Sequence, residues 1–214
     1  QLLTKERVAQ DRMLDVLGGS SGAILSLVAL FEATENKRLI DTIDVCGSHL
    51  VENAFEERNG AISWPNSKGF SLCGMSHGAA GTAYALMNAW KLTGRKKFRR
   101  YALGGIAFER SVFDIRRGNW PDLRQGAREI PGRKSLPSTW CHGAPGIAPA
   151  RLAIRPLGDF PGIEEEIELA MQVTLNSSPH ADHLCCGEAG IADVLLEAYR
   201  HLGRSSFLQE GQRR

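Results

Sequence analysis

No apolar run in this 214-residue chain is long enough to cross a bilayer: the longest, Gly22 to Phe31, has ten residues and includes Ser26. That excludes a helical membrane span and reads as a soluble protein. Net charge is nearly absent too. The chain has 26 Lys and Arg against 24 Asp and Glu, a formal +2, which argues against a nucleic-acid binder held by bulk charge. Residues 1–17 mix charges and lack the apolar segment of a signal peptide. The cysteines number five, an odd count, with Cys185 and Cys186 adjacent. A disulfide framework fits this poorly, and a reducing, cytoplasmic compartment fits better, with thiols kept for metal or catalysis. There is no CxxC pair, and Cys141 and Cys185 stand 44 residues apart, so no zinc finger is encoded. With 43% hydrophobic and 23% charged residues, intrinsic disorder is excluded as well.

Convincing strand-type alternation is also missing, whereas helical periodicity dominates. Leu39, Ile40, Ile43, Cys46, Leu50, Val51, Ala54 and Phe55 recur at three- and four-residue steps within 37–57. The same spacing runs from Phe98 to Phe113 and from Ile163 to Thr174, and more weakly from Leu2 to Leu17. Between these amphipathic stretches stand segments opened by two glycines three apart: Gly19 and Gly22, Gly78 and Gly81, Gly143 and Gly146, Gly187 and Gly190. Each leads into a stretch apolar on most faces, which must be buried on most sides. Amphipathic helices alternating with buried ones describe stacked helical hairpins. The expectation is an all-α protein, an α/α toroid or barrel of which about four hairpins are present.

The repeat register places reactive side chains in equivalent slots. Directly before the first glycine stand Gly18, His77, His142 and Cys186; one position earlier stand Leu17, Ser76, Cys141 and Cys185. Inner helices of a toroid run side by side, so these slots converge on one face. Helix N-termini favour anions, and thiols there are expected to have lowered pKa values. Three such thiols form a plausible zinc site with one coordination position open, as catalytic zinc requires. Cys46 and Cys73 read instead as small buried hydrophobes. His77 reads as a fourth ligand, an acid–base group or a core histidine. His142 ranks below it, because neighbouring residues point apart. His180 and His183 read as loop residues behind the Cys-Cys turn. Asp15, near the end of the expected first helix, reads alone as a solvated charge. The polar loop from about Asp114 to Ser138, with Arg116, Arg117, Arg124, Arg128, Arg133 and Lys134, reads as an ordinary solvated segment, with capture of an acidic peptide as its functional alternative.

Five segments together resemble the lanthionine synthetase C-like family, most closely the cyclase domain of class II (LanM-type) lanthipeptide synthetases. They are LDVLGGSSGAILSL from Leu14, GMSHGAAGTAYALMNAW from Gly74, FERSVFDIRRGNWPDLR from Phe108, TWCHGAPGIA from Thr139 and DHLCCGEAGIADVLLEAY from Asp182. The resemblance implies a toroid with one zinc per chain, held by Cys141, Cys185 and Cys186. Many relatives carry Cys-His in the last pair, so the Cys-Cys here implies three thiolates. It also implies that His77 and Asp15 belong to the active site. The implied reaction adds a cysteine thiolate to dehydroalanine or dehydrobutyrine in a dehydrated, ribosomally made precursor peptide, giving lanthionine or methyllanthionine. Residues 1–214 then read as a partial cyclase domain. No dehydratase domain is present in this stretch, and the resemblance implies one upstream in the same full-length protein. The rivals are an inactive or truncated peptide- or thiol-binding module, and another α/α-toroid enzyme such as a glycosidase, which needs paired carboxylates.

Overall fold

The computed structural model describes residues 3–124, 137–179 and 181–214. Nine α-helices are found among them: α1 (Lys5–Ala9), α2 (Ser20–Thr34), α3 (Arg38–Glu52), α4 (Ala79–Thr93), α5 (Lys96–Val112), α6 (Ala144–Ile154), α7 (Ile163–Leu175), α8 (Glu188–Leu202) and α9 (Ser205–Arg213). From α2 onward they pair as the hairpins α2–α3, α4–α5, α6–α7 and α8–α9, and the first members pack in series, α2 on α4, α4 on α6, α6 on α8. The chain therefore has the all-α architecture of an α/α toroid, represented by four hairpins stacked in series with α2, α4, α6 and α8 on the inside. None of the described helices is long and apolar enough to cross a membrane.

The paired glycines mark every inner helix start. A side chain at the second glycine of each pair would collide with a backbone carbonyl six residues earlier: Val16 for Gly22, Met75 for Gly81, Trp140 for Gly146 and Leu184 for Gly190. Only a hydrogen fits there. The first glycine is the N-cap in each case and brings no capping side chain, so the exposed N–H groups of the first turn need other partners. Remote residues supply them. Asp11 Oδ2 accepts from Ser20 N at 2.7 Å, Glu109 Oε1 from Ala80 N at 2.9 Å, and Asn119 Oδ1 from Ala144 N at 3.2 Å.

Three expectations are corrected. The N-terminal helix stops at Ala9 rather than reaching Leu17, because the Asp11 carboxylate captures the N–H groups of Met13 and Leu14 and folds a turn; Asp15 thus lies in a turn and not on a helix. Helix α3 ends at Glu52, and the chain enters a two-stranded hairpin of β1 (Phe55–Glu56) and β2 (Ile62–Ser63). Burial of the inner helices is also uneven. Helices α4 and α6 are buried along most of their length, whereas α2 leaves Leu30 48% exposed, because α4 and α6 have inner neighbours on both sides. Cys46 and Cys73 are buried, as expected of packing thiols.

Candidate metal and acid–base site

Two turns, from neighbouring repeats, bring the three thiols together. Cys141 precedes α6 and is buried, while Cys185 and Cys186 precede α8 and are half-buried. The turns are tied by a hydrogen bond from Cys141 N to the Cys185 carbonyl at 3.2 Å. Cys186 Sγ lies 3.1 Å from Cys141 Sγ and 3.2 Å from Cys185 Sγ, and all three sulfurs lie within 4.8 Å of one another. Thr139 Oγ1 stands 3.4 Å from Cys141 Sγ. His183 Nδ1 accepts from Cys186 N at 3.2 Å, so that histidine supports the ligand loop from behind. His180, Arg128, Arg133 and Lys134 lie outside the described residues.

The expected lowering of thiol pKa at these helix ends is not found. Burial and its two thiol neighbours push Cys186 up to about 12, and Cys185 is raised as well. For Cys186 burial is the largest cause and its thiol neighbours add to it; for Cys185 the hydrogen bond from Cys186, which lowers it, is outweighed by burial and Cys141 together. The arrangement therefore suits a cation. Three convergent sulfurs are the donor set of a soft, tetrahedral ion with one position left over, and zinc fits it.

The second half of the site is an imidazole–carboxylate pair. His77, in the turn before α4, places Nδ1 2.7 Å from Asp15 Oδ2. The other oxygen of Asp15 accepts from Gly18 N at 2.9 Å. An ionised carboxylate can only accept, so Nδ1 carries the proton and Nε2 is left unengaged by Asp15. His77 does not belong to the thiol cluster. His142 is buried, yet its ring stacks on that of His77 at 5.8 Å between centroids, so it faces the site rather than away from it. Burial, and then the charge of Arg124, lower its pKa.

These two histidines line a cavity of about 390 Å³, whose other walls include Met13, Trp64, Phe70, Leu72 and Arg124. Arg124 is thus part of the site, not of a plain solvated loop. Its guanidinium, half-exposed, sits on the buried Asp122 carboxylate, with Nε 3.0 Å from each oxygen. Asp122 is held below the usual carboxylate range by its bonds to Arg124, which outweigh the opposing effect of burial. The sequence offered Arg124 only as one of several basic residues of a solvated or peptide-capturing loop, and did not single out Asp122. The signal was their place in the NWPDLR segment, where an acidic and a basic residue two apart can pair across a turn.

A family model described as lanthionine synthetase C-like protein matches residues 1–214. No curated protein matches the sequence. Among solved structures, nisin cyclase is similar in fold, with a TM-score of 0.70 at 18% identity. The match covers 99% of this chain and 57% of that one, so the chain spans a little over half the length of that relative.

Proposed function

From its membership of the lanthionine synthetase C-like family, we propose that the chain is the zinc-dependent cyclase part of a lanthipeptide synthetase. Its substrate is a dehydrated, ribosomally made peptide, and its product is a lanthionine or methyllanthionine ring. One observation carries the reading: three thiols converge in the turns before α6 and α8, and a carboxylate-oriented imidazole that lines the cavity stands in the preceding inner-helix turn, which Ser76 ties to the Cys141 carbonyl. Cys141, Cys185 and Cys186 hold the zinc. When bound, zinc supplies a Lewis-acid position that keeps the substrate cysteine as thiolate at neutral pH, where a free thiol of pKa ~8.5 is mostly protonated.

The chain's own residues account for the rest of the reaction. A carbon–sulfur bond forms at the β-carbon of the dehydroamino acid, and the α-carbon takes up a proton, so no other reactant is consumed. His77, as the imidazolium whose Nδ1–H is held by Asp15, donates that proton from Nε2, and the proton lost by the substrate thiol restores it, so the addition balances. Asp15 also stabilises the imidazolium before transfer. The apolar wall of Trp64, Phe70 and Leu72 receives peptide side chains and keeps water from the reacting carbon. A paired-carboxylate mechanism finds no support. Asp15 is the one carboxylate among the described lining residues, and it is committed to His77.

Residues 1–214 act as one partial cyclase domain in the cytoplasm, served by a dehydratase domain of the same full-length protein. Incubating the zinc-loaded chain with a chemically dehydrated cysteine peptide tests the reading. Thioether formation, seen as loss of free thiol at unchanged peptide mass, is expected. A zinc-loaded, folded chain that forms no ring above background overturns it.

A further inference from the structure

The turn that carries His77 is gripped at both ends by one carboxylate from behind the site. Glu109, on α5, is fully buried. Its Oε1 accepts from Gly74 N at 3.0 Å and from Ala80 N at 2.9 Å, so the seven-residue turn 74–80 is clasped with His77 near its middle. Its Oε2 accepts from Nη2 of Arg151 on α6 at 2.8 Å. Arg151 is itself fully buried, and its Nε donates to Glu166 Oε2 on α7 at 2.6 Å, while Arg110 holds the other oxygen of Glu166.

The clasped turn rests directly on the Cys141 turn. Gly74 has φ +104°, and a Cβ there would run into the Cys141 carbonyl and the Cα of His142. Ser76 Oγ donates to the same Cys141 carbonyl at 3.3 Å. One carboxylate therefore sets the shape of the imidazole turn and, through Gly74, its seat on the thiol turn. A buried ion pair gives little net stability compared with apolar packing of the same volume. What it supplies here is a fixed geometry, since charged acceptors bind N–H groups more strongly and at shorter range than neutral ones.

We propose that Glu109 is a positioning residue of this active site: by clasping Gly74 and Ala80 it holds the His77 imidazole at a set distance from the zinc-binding thiols. It touches no substrate and acts only through the backbone of the turn. The kinetic consequence rests on the cyclase reading above, whereas the positional claim does not. In Glu109→Gln the side-chain shape is kept, but the negative charge is lost and an amide N–H₂ competes for the place facing Arg151 or the turn. Glu166→Gln is the control, since it perturbs the same network without touching residues 74–80.

The test measures nitrogen-15 histidine NMR spectra, zinc per chain and steady-state kinetics for parent and variants. In Glu109→Gln the His77 Nδ1–H resonance is expected to shift or exchange away, while the His49 and His201 resonances stay. Zinc should remain bound and kcat should fall by ~10–100-fold, with KM changed much less, since a displacement near 1 Å can cost ~10²-fold. Glu166→Gln should lower the melting temperature and leave the His77 resonance and kcat unchanged. Unmoved His77 and kcat in Glu109→Gln, or equal effects of the two variants, would overturn the proposal. If Glu109→Gln does not fold, Glu109→Asp, which keeps the charge but shortens the reach, bears the same expectation. A parent chain without turnover would refute the cyclase reading and leave the NMR comparison standing.

Discussion

The imidazole turn before α4 and the thiol turns before α6 and α8 share a glycine pair and serve opposite chemistry, with Gly143 at φ +90° where Gly78 and Gly187 are extended. Each ends in a glycine N-cap, and each is closed by a second glycine that admits a carbonyl where a Cβ would clash. On the imidazole side, a single charge partner 2.7 Å away orients the ring and a clasping carboxylate takes the Gly74 and Ala80 N–H groups, with Nε2 left open. On the thiol side, three sulfurs crowd within 4.8 Å, and burial together with its thiol neighbours presses Cys186 towards the protonated state. The first arrangement orients a ring with one nitrogen left open. The second offers three sulfur donors that could hold a metal ion. A helix start therefore does not choose its chemistry; the side chains that meet there, and how deeply they are buried, decide it.

The comparison breaks most visibly at the metal. Replacing Cys141, Cys185 or Cys186 by Ala should weaken zinc binding by more than the ~10–100-fold typical of losing an outer partner of a ligand, while His77→Asn should leave zinc in place. Elemental analysis of the purified variants decides it. Full zinc content in Cys185→Ala removes that ligand from the set, and zinc loss in His77→Asn makes His77 a ligand instead of an acid.

The next effect is catalytic. His77→Asn should lower the cyclisation rate by ~10²–10⁴-fold, the usual worth of a placed proton donor. Asp15→Asn should cost less, because the imidazole remains and only its orientation and charge support are lost. An Asp15→Asn rate as low as that of His77→Asn would mean that the carboxylate does more than orient.

A pH experiment sharpens the contrast further. The Cys186 thiol rises in the folded chain from its ordinary 9.0 to about 12. Since the folded thiol keeps its proton longer than the unfolded one, its stabilisation is present below about 9 and disappears as pH climbs towards about 12. The metal-free chain should therefore melt at lower temperature as pH rises across that window. Zinc loading reverses the sign for these groups: binding as thiolates releases protons, so affinity strengthens with rising pH. Thermal melts of both forms and proton release in weak buffer measure this, and zinc uptake without proton release would contradict thiolate ligation.

The smallest effect concerns the link between the two turns. Ser76→Ala removes the 3.3 Å bond to the Cys141 carbonyl and should cost about 0.5–1.5 kcal/mol by denaturant midpoint, with zinc content and rate nearly unchanged. A collapse of zinc binding in this variant would show that the two turns are not separable.

Much of the site was legible because the repeat imposes a register. Glycines that recur three apart mark helix starts, and the slots before them expose His77, Cys141, Cys185 and Cys186 at equivalent places. His142 was read as turned away, since adjacent side chains diverge on a regular element; it lies in a tight turn instead and stacks on His77. Glu109 and Arg151 left no mark in the periodicity. A Glu on α5 and an Arg on α6 look like surface charges at helical spacing, and only their burial on the faces where helices meet makes them partners. Arg124 was hidden for a related reason, because an arginine in a basic segment reads as solvated until it is found lining the cavity.

The sequence alone thus determined the hairpin repeat, the all-α architecture and the residues that stand at the inner helix ends, because periodicity and glycine placement are local and survive in the linear text. The tertiary structure decided which of those ends meet, that burial beside two other thiols raises the Cys186 pKa, that Asp15 is bound to His77 across 62 positions, and that a buried carboxylate on α5 clasps the turn that carries His77. Those outcomes depend on distance and desolvation between segments far apart in the chain, and neither quantity is written in the order of residues.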